Sequence, residues 1–478
     1  MVWLLILIPL GFGLAAALVS SNRWRPWLVT AGGLAHLVWT GWSLFGGLKP
    51  ALAGWLALDP PGRIVLGLVS VLFAVCSLYA PGYLAERRER SNRVFCACLL
   101  GMLSMMTLVI LSQHLGLLWV AVEATTLAAA PLLYFNHTPR SLEATWKYLL
   151  IGSVGIALAL LGTFFMAYAG LGAGEEPTLL FGDLAVLAPR LSTPWLHAAF
   201  VLLLVGYGTK MGLAPMHTWK PDAYGEAPGI AGALLSGGVT SCAFLAILRL
   251  YRICRNTSEA AFASHALILM GLLSMAVAAV FVIRQRDFKR MLAYSSVEHM
   301  GVLALGTGLG GLALAGALLH VITNGITKGV MFLAAGNIHR SYGSKWTEDV
   351  QGAIRRLPWS GSLFLAGFLM VTGSPPGGPF RSLFGILQGA LQGGHTAIAI
   401  SFLVLLAVVF IGMGTTVLRV VQGAPALSPD PAGSREKACL VVPILLLAGL
   451  SLWLGIYLPA PVEQWLQGAA DFLEVVPS

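Results

Sequence analysis

Residues 202–215 read LLLVGYGTKMGLAP and place Lys210 inside an otherwise apolar run. A membrane-spanning helix needs about 20 mostly apolar residues, and a charge inside it is costly unless it is paired or hydrated. Nearby glycines and Pro215 predict a helix that breaks at membrane depth, where irregular backbone is tolerated only when it is buried in protein or faces water. The stretch therefore predicts a polytopic membrane protein with a functional charge in its interior.

Apolar runs of similar length recur along the whole chain. Of the 478 residues, 57% are hydrophobic and 10% are charged, and the mean hydropathy is +0.81. We predict an all-α polytopic fold with about fourteen spanning helices in one transmembrane domain, residues 1–478. The predicted spans are residues 3–19, 27–48, 64–84, 94–111, 115–135, 148–169, 196–213, 230–250, 266–283, 297–309, 312–338, 359–390, 396–421 and 438–457. Residues 462–475 form a further, amphipathic segment that is expected along the membrane surface.

The net charge of +9 is carried by Lys and Arg in short connections, so we interpret it as membrane topology and predict no nucleic-acid partner. By the positive-inside rule the cytoplasmic side is the one that holds the basic loops 23–25, 87–93, 284–290 and 340–356. The opposite side holds an acidic loop with Glu175 and Glu176, and its basic exception begins at Arg249. An even number of spans then places both termini in the periplasm of a bacterial inner membrane.

Two charged side chains in the first half of the chain are candidates for proton transfer. Glu123 lies mid-helix in residues 117–124, LLWVAVEA, and Lys210 lies in the predicted break. The proton affinity of a buried lysine depends on the distance to a carboxylate, so moving that partner can drive a relay. The alternative is a carboxylate that neighbouring helices satisfy without any role in transport.

A second polar group is predicted on the eleventh span. His320 and Lys328 are just over two helical turns apart, so they fall near one face, and Asn324 lies between them. Gly325 and Gly329 predict a stretch that distorts easily and suits a hydrated, interrupted channel. The alternative is a polar stripe that faces another helix.

Further candidates lie near the ends of spans. Glu298 and His299 are predicted to open the tenth span, and Glu143 and Lys147 to form an i,i+4 pair at the start of the sixth. Each pair is either an interface contact or the entrance to a half-channel.

Prolines mark both predicted breaks. Pro215 ends the seventh span, and the loop after it holds His217, Asp222 and Glu226. Residues 373–379, GSPPGGP, interrupt the twelfth span at Pro375 and Pro376.

The sequence lacks the common motifs for nucleotides, zinc and redox centres. It contains no GxGxxG after a strand, no GxxxxGK[ST] and no HExxH, and its six cysteines lie mostly in apolar runs without CxxC spacing. We interpret these cysteines as packing residues. The chain itself is therefore predicted to bind no metal and no cofactor.

Several stretches together carry a family resemblance. They are WVAVEATTL at 119–127, LEATWKYLLIGSVG at 142–155, GTKMGLAPMHTWKPDAYGEAP at 208–228, FKRMLAYSSVEHMG at 288–301 and ALLHVITNGITKGVMFLAAGN at 317–337. The chain resembles the antiporter-like membrane subunits of respiratory complex I, of multisubunit cation/proton antiporters and of energy-converting membrane-bound hydrogenases. Within them it is most similar to hydrogenase-4 component F, the branch linked to formate hydrogenlyase.

The resemblance implies fourteen helices with two inverted five-helix repeats, in which helices 7 and 12 are broken. Residues 1–93 then hold helices 1–3, residues 94–250 and 264–421 hold the repeats, and residues 438–478 hold helix 14 and the amphipathic segment. It also implies that Glu123 and Lys210 form the acid–base pair of the first half-channel, and that His320 and Lys328 continue a central polar axis.

The same resemblance implies partners. In such complexes a separate peripheral arm carries out electron transfer, and it would hold iron–sulfur centres and nickel–iron or other redox centres. The other predicted partners are the membrane subunits of the same complex and the lipid bilayer.

The chain departs from the family pattern at positions that bear on function. Leu383 stands where relatives usually carry the Glu or Lys that ends the second half-channel, and Arg381 projects in a different helical direction. Ser241 replaces a basic or amide residue on the eighth helix, and Gly325 replaces a second histidine.

Three hypotheses follow. The first is a proton-translocating subunit of a redox-driven hydrogenase, formate dehydrogenase or NADH-quinone oxidoreductase-like complex. The second is a subunit of a cation/proton antiporter or of an ion-coupled inorganic-carbon uptake system. The third, raised by Leu383, is a membrane scaffold that has lost full pumping.

Overall fold

The computed structural model describes residues 2–87, 90–172, 174, 176, 178–423 and 436–474. Arg88, Glu175 and Val475 lie outside these residues. The described chain is helical throughout, and its β contacts are isolated bridges such as the one between Asp287 and Trp346. Ten of its helices are long and apolar enough to cross a membrane. The prediction of an all-α membrane protein with many spans is confirmed.

The described chain forms a succession of twenty α-helices. They are α1 (Val2–Leu18), α2 (Arg25–Gly46), α3 (Pro60–Ala85), α4 (Arg93–Leu111), α5 (Leu115–Leu133), α6 (Pro139–Leu171), α7 (Phe181–Leu187), α8 (Thr193–Met211), α9 (Trp219–Glu226), α10 (Gly229–Leu234), α11 (Thr240–Arg255), α12 (Ala260–Val282), α13 (Phe288–Leu309), α14 (Gly311–Tyr342), α15 (Ala353–Arg356), α16 (Pro358–Val371), α17 (Gly378–Gln392), α18 (Thr396–Gln422), α19 (Ala438–Ile456) and α20 (Ala460–Glu474). A π-helical turn, Leu235–Val239, joins α10 to α11.

The ten apolar spans are α2 to α6, the joined α10 and α11, α12, α14, α18 and α19. Two shorter apolar helices, α1 and α16, occupy the positions of the first span and of the first half of the twelfth. Helices α8 and α13 lie at the positions of the predicted seventh and tenth spans but are not among the ten.

Two predicted helix starts are wrong because polar caps carry the helices beyond the apolar runs. Helix α13 begins at Phe288, where the Asp287 carboxylate accepts bonds from the Lys289 and Arg290 backbone N–H groups. Glu298 and His299 therefore lie in the middle of this helix and do not open it. Helix α6 begins at Pro139 after a capping box between Thr138 and Ser141.

The chain around Pro215 is also more helical than predicted. Helix α8 ends at Met211, where Gly212 has a left-handed φ of 82°, and α9 begins at Trp219. Asp222 and Glu226, which the sequence placed in a loop, lie on α9. The loop prediction failed because the eight residues of α9 carry too many polar groups to register as an apolar run. The second interruption falls between α16 and α17, at residues 372–377.

Helix α14 is the buried centre of the molecule and packs against α3, α10, α13, α16, α17 and α19. It is continuous from Gly311 to Tyr342, so the predicted interruption near Gly325 and Gly329 is wrong. Instead, these two glycines let neighbouring helices approach closely: a Cβ at Gly325 would lie 2.7 Å from Leu68, and one at Gly329 would lie 2.7 Å from Leu447. A continuous buried helix therefore carries the candidate residues of the second half.

A buried ion pair fastens α11 to the start of α3. Arg249 Nε lies 2.8 Å from Asp59 Oδ2, and Nη2 lies 2.9 Å from Oδ1, with both side chains almost fully buried. The guanidinium also donates to the carbonyls of Val109, Ile110 and Ser112 at the end of α4. Arg249 is thus a structural residue, which explains why it departs from the charge pattern of the loops.

The C-terminal helix α20 lies against the rest of the bundle. Its apolar face buries Leu466, Ala469, Ala470 and Leu473, and it packs against α3, α11 and α14. The Arg252 guanidinium lies 3.6 Å from the centre of the Phe472 ring. The described part of the predicted amphipathic segment is therefore helical and covers protein on its apolar face.

Candidate functional site

Glu123 on α5 and Lys210 on α8 form an ion pair inside the first half of the bundle. Lys210 Nζ lies 3.1 Å from Glu123 Oε2 and donates to Thr126 Oγ1 at 2.5 Å. The Lys210 side chain is 3% exposed and that of Glu123 is 22% exposed. The Ser153 hydroxyl on α6 donates to the second carboxylate oxygen of Glu123 at 3.2 Å. The lysine is thus sealed in protein, while its carboxylate partner keeps an open side.

A glycine makes room for the Lys210 ammonium. A Cβ added at Gly152 on α6 would lie 2.7 Å from Lys210 Nζ, so this position has space only because it lacks a side chain. The ring of Tyr148, one turn earlier on α6, lies 6.0 Å from the same nitrogen. The interior position of Lys210 is therefore built by two helices besides its own.

The second half of the bundle contains a line of three buried polar side chains. His299 Nδ1 on α13 lies 3.0 Å from His320 Nε2 on α14, and His320 Nδ1 lies 2.8 Å from the Ser382 hydroxyl on α17. Both histidines are essentially inaccessible to solvent. Because an imidazole can accept a proton at one nitrogen and release one from the other, this line can pass a proton between three helices.

Lys328 lies on the same buried helix, two turns beyond His320. Its ammonium donates to Ser295 Oγ at 2.7 Å, and Glu298 on the same face of α13 interacts with it electrostatically. Asn324 lies between His320 and Lys328, and its carbonyl oxygen is buried without a hydrogen-bond partner in the described part of the chain. An unsatisfied buried acceptor of this kind suits a bound water molecule.

Lys220, a fully buried lysine at the start of α9, is not among the candidate residues predicted from the sequence. Its ammonium donates to Ser296 Oγ at 3.2 Å. The signal was available, since the side chain lies in the conspicuous segment 208–228, but its polar neighbours suggested a loop exposed to solvent. Only packing of α9 against α6 and α13 buries it.

Residues 112–410 match the family described as NADH:quinone oxidoreductase/Mrp antiporter, TM. The chain belongs to this family. It is 32% identical to a hydrogenase-4 component F homolog of Methylacidiphilum infernorum, over 98% of this chain and 99% of that protein. It is also 32% identical to NADH-quinone oxidoreductase subunit N of Desulforudis audaxviator, over 93% and 87% of the two chains.

Solved structures share the fold of this member of the NADH:quinone oxidoreductase/Mrp antiporter family. A chain of the archaeal membrane-bound sulfane sulfur reductase superposes with a TM-score of 0.88 at 24% identity, covering 99% of this chain and 98% of that one. A chain of the Mrp complex from Dietzia sp. superposes with a TM-score of 0.84 at 19% identity, covering 99% and 97%.

The structure shows the contacts of Leu383 and Ser241, two positions at which the family resemblance predicts other residues. Leu383 is buried, and it packs close to Gly373 in the segment between α16 and α17. Its neighbour Ser382 holds the bond to His320, whereas Arg381 is exposed. Ser241 on α11 donates to the Gly237 carbonyl of its own helical segment at 2.7 Å. The hydrogen-bonded line from His299 passes through Ser382 to the Thr323 hydroxyl, which lies 3.2 Å from Ser382 Oγ and returns the line to α14.

In this family member, an ionic network joins the N-terminal parts of α6 and α13 to α9. Lys147 lies 2.6 Å from Glu143 and 2.9 Å from Asp222, whose second oxygen lies 2.8 Å from Arg290. The predicted Glu143–Lys147 pair is therefore formed. Most of these side chains are partly exposed, so their charges are accessible to water.

A second ionic group lies beside this network. Lys345 bonds to Glu226 at 2.5 Å and to Asp287 at 3.0 Å. His217 is buried, and in the described part of the chain its Nδ1 atom has no hydrogen-bond partner; its ring lies 6.4 Å from that of Tyr294. The Lys220 backbone N–H donates to the His217 carbonyl at 2.9 Å, but in the described residues no hydrogen bond joins the His217 side chain to a buried lysine.

Within the described residues, no group of three or more His, Cys, Asp or Glu side chains is arranged to hold a metal ion. The buried side chains of Lys210, Lys220, Lys328, His299 and His320 are instead hydrogen-bonded to hydroxyls or to one another. This arrangement suits the movement of protons between side chains.

Proposed function

We propose that this chain is an antiporter-like, proton-translocating membrane subunit of a redox-driven complex. The observation that carries the proposal is the Glu123–Lys210 ion pair. The Lys210 ammonium is buried, whereas the Glu123 carboxylate is partly exposed. Charged groups inside a membrane protein cost a few kcal/mol on insertion scales, so a retained pair on facing helices is by default functional. Membership of the NADH:quinone oxidoreductase/Mrp antiporter family supports the same conclusion.

In this proposal the relay residues are Glu123, Lys210, His320 and Lys328. Separation of Lys210 from Glu123 frees the carboxylate to take a proton and lets the ammonium release one, because each group stabilises the charge of the other. The released proton then moves towards α13 and α14, where Lys328, His299 and His320 accept and pass it on. Glu143, Lys147, His217, Glu298 and Asn324 support its entry and passage.

The finer architecture is part of the proposal. We infer fourteen membrane helices, with helices 7 and 12 broken near Pro215 and at Pro375–Pro376. The two inverted repeats would cover residues 94–250 and 264–421, and three N-terminal helices and a C-terminal helix would flank them. The close superposition on the sulfane sulfur reductase chain supports this arrangement.

The redox chemistry would take place in partner subunits. Relatives named as NADH-quinone oxidoreductase and hydrogenase-4 components support assembly with other membrane subunits and with a peripheral redox arm. That arm would carry the iron–sulfur and nickel–iron or other redox centres, while this chain would bind none. We place the protein in a bacterial cytoplasmic membrane with both termini in the periplasm, on the basis of its basic loops.

A cation/proton antiporter or an ion-coupled inorganic-carbon uptake system is the second candidate. A 27% identical relative is one of the Na(+)/H(+) antiporter subunits of Alkalihalophilus pseudofirmus, which supports this alternative. A scaffold without full pumping is the third, and the apolar burial of Leu383 favours it over a complete second half-channel. Purification of the complex separates the first two, because redox subunits accompany the chain only in the first.

The decisive experiment measures protons moved per electron by the purified complex in sealed vesicles, with a pH-sensitive dye. Glu123→Gln is expected to lower that ratio and to leave electron transfer running. Glu348→Gln is the matched control, because Glu348 is 64% exposed and, in the described part of the chain, forms an ion pair with the surface residue Arg286. An unchanged ratio in Glu123→Gln contradicts the proposal and favours the scaffold.

A further inference from the structure

Lys220 is buried without a counterion. Its side chain is inaccessible to solvent, its ammonium donates to Ser296 Oγ at 3.2 Å, and the Tyr224 ring lies 5.8 Å away. Among the described residues no carboxylate forms an ion pair with it. An unpaired lysine inside a membrane protein is costly and marks a functional position by default.

The fold makes space for this side chain. Gly212, which ends α8 with a left-handed φ of 82°, lies against the aliphatic stem of Lys220, and a Cβ at this position would overlap that stem. The same glycine that terminates α8 therefore also leaves space for the Lys220 side chain to reach α13. The lysine occupies a shaped site and is not merely trapped between helices.

The surroundings place Lys220 between the two groups of candidate residues. On one side, Trp219 next to it packs 5.1 Å from Tyr148, the ring that faces Lys210. On the other side, Lys220 and Lys328 donate to adjacent serines of α13, Ser296 and Ser295. Consecutive residues of an α-helix point about 100° apart, so the two hydroxyls accept lysines from different sides.

The two ammonium groups act on each other. Lys328 is the charged group that interacts with Lys220 electrostatically, and both side chains are fully buried. Two positive charges repel strongly in a medium of low dielectric constant, so one ammonium and one neutral amine are favoured over two ammonium groups. A site that holds one proton between two amines is suited to passing it on.

We propose that Lys220 is a further proton-carrying residue, which links the Glu123–Lys210 pair to Lys328; this inference rests on the proposed function. The ammonium of Lys210 gives its proton through water to the neutral amine of Lys220. Lys220 then passes a proton to the neutral amine of Lys328 by way of the Ser296 hydroxyl, water and the Ser295 hydroxyl. Each step converts one ammonium to an amine and one amine to an ammonium, so charge and atoms balance.

Three substitutions test this role in the purified complex, reconstituted in sealed vesicles with a pH-sensitive dye. Lys220→Leu removes the titratable group and is expected to slow proton movement by about a hundredfold while electron transfer continues. Lys220→His keeps a titratable group and is expected to retain a measurable part of the transport. Lys220→Arg keeps a charge that does not release its proton, and it is expected to fail like Lys220→Leu.

Two comparison variants make every outcome decisive. Lys49→Leu changes an exposed lysine and is the matched control, and Glu123→Gln reports on the proposed function itself. Normal proton movement in Lys220→Leu, with a loss in Glu123→Gln, overturns the role of Lys220 alone. Rescue by Lys220→Arg means that only a fixed charge is needed and also overturns it. If neither Lys220→Leu nor Glu123→Gln changes the proton-to-electron ratio, the proposed function and this inference fail together.

Discussion

The Nδ1 atom of His299 lies 3.0 Å from the Nε2 atom of His320, so two imidazole rings connect α13 to α14. His320→Leu removes this contact and the bond to Ser382 with one change. We expect protons moved per electron to fall, because no hydrogen-bonded line then leaves α13 in this direction. The control is His265→Leu, which changes an exposed histidine. Equal ratios in the two variants would show that the histidine line is structural.

The family resemblance predicts a Glu or Lys at position 383, where this chain carries leucine. Leu383→Glu would place an acid one residue after Ser382, whose hydroxyl lies 2.8 Å from His320 Nδ1. If the subunit lacks only this exit, we expect the variant to move more protons per electron than the wild type. The added charge is expected to cost about 3 kcal/mol of stability inside the membrane.

Leu383→Met is the matched control for that experiment, since it keeps an apolar side chain of similar volume. A gain in both variants would show that altered packing, and not the carboxylate, changes transport. No gain in Leu383→Glu, with the complex intact, would contradict the idea that this position alone limits the second half-channel.

The buried Arg249–Asp59 pair predicts a large stability effect. Arg249→Met leaves the Asp59 charge uncompensated, and we expect a loss of about 3–5 kcal/mol in the free energy of unfolding. Asp59→Asn in the same chain should recover part of this loss, because the amide removes the charge and keeps an oxygen for the Gly62 backbone N–H at the start of α3. Unfolding in detergent measures both.

Lys437→Met is the control for this pair, because it breaks an ion pair with Glu86 in which the lysine is 58% exposed. Exposed pairs contribute about 0–1 kcal/mol, so its effect is expected to be small. Comparable losses in Lys437→Met and Arg249→Met would contradict the special role of the buried pair.

The left-handed backbone conformation at position 212 is expected to require glycine. Gly212→Ala forces a side chain into the left-handed region and into the stem of Lys220, and we expect a loss of at least about 1–2 kcal/mol in stability. Gly101→Ala is the matched control, since nothing lies within 4 Å of a Cβ at that position on α4. In a helix interior that exchange is expected to be neutral or stabilising. A stable Gly212→Ala variant would show that α9 can shift away.

The Glu143–Lys147–Asp222 contacts separate two interpretations left open by the sequence. Lys147→Met removes a lysine that is 43% exposed, so we expect a change of stability below about 1 kcal/mol. If the network is an entrance for protons, the rate of uptake falls while the complex stays assembled. If it is only an interface contact, uptake is unchanged.

The class of the protein and most of its helices follow from the order of its residues alone. Apolar runs of spanning length are a local property, because a helix satisfies its own backbone groups and only its side chains meet the membrane. Glu123, Lys210, His320 and Lys328 stood out for the same reason, since a charge is conspicuous against apolar neighbours. The i,i+4 spacing of Glu143 and Lys147 was likewise sufficient to predict their contact.

The partners of those charges depend on the packing of the helices. Partners such as Lys210 and Glu123 or Arg249 and Asp59 lie far apart in the chain, so their pairing depends on how helices pack. Lys220 looked like a loop residue until packing of α9 buried it, and the glycines of α14 looked like weak points until neighbouring helices filled the space beside them. Burial and close approach are properties of neighbouring helices, and no pattern within one segment contains them.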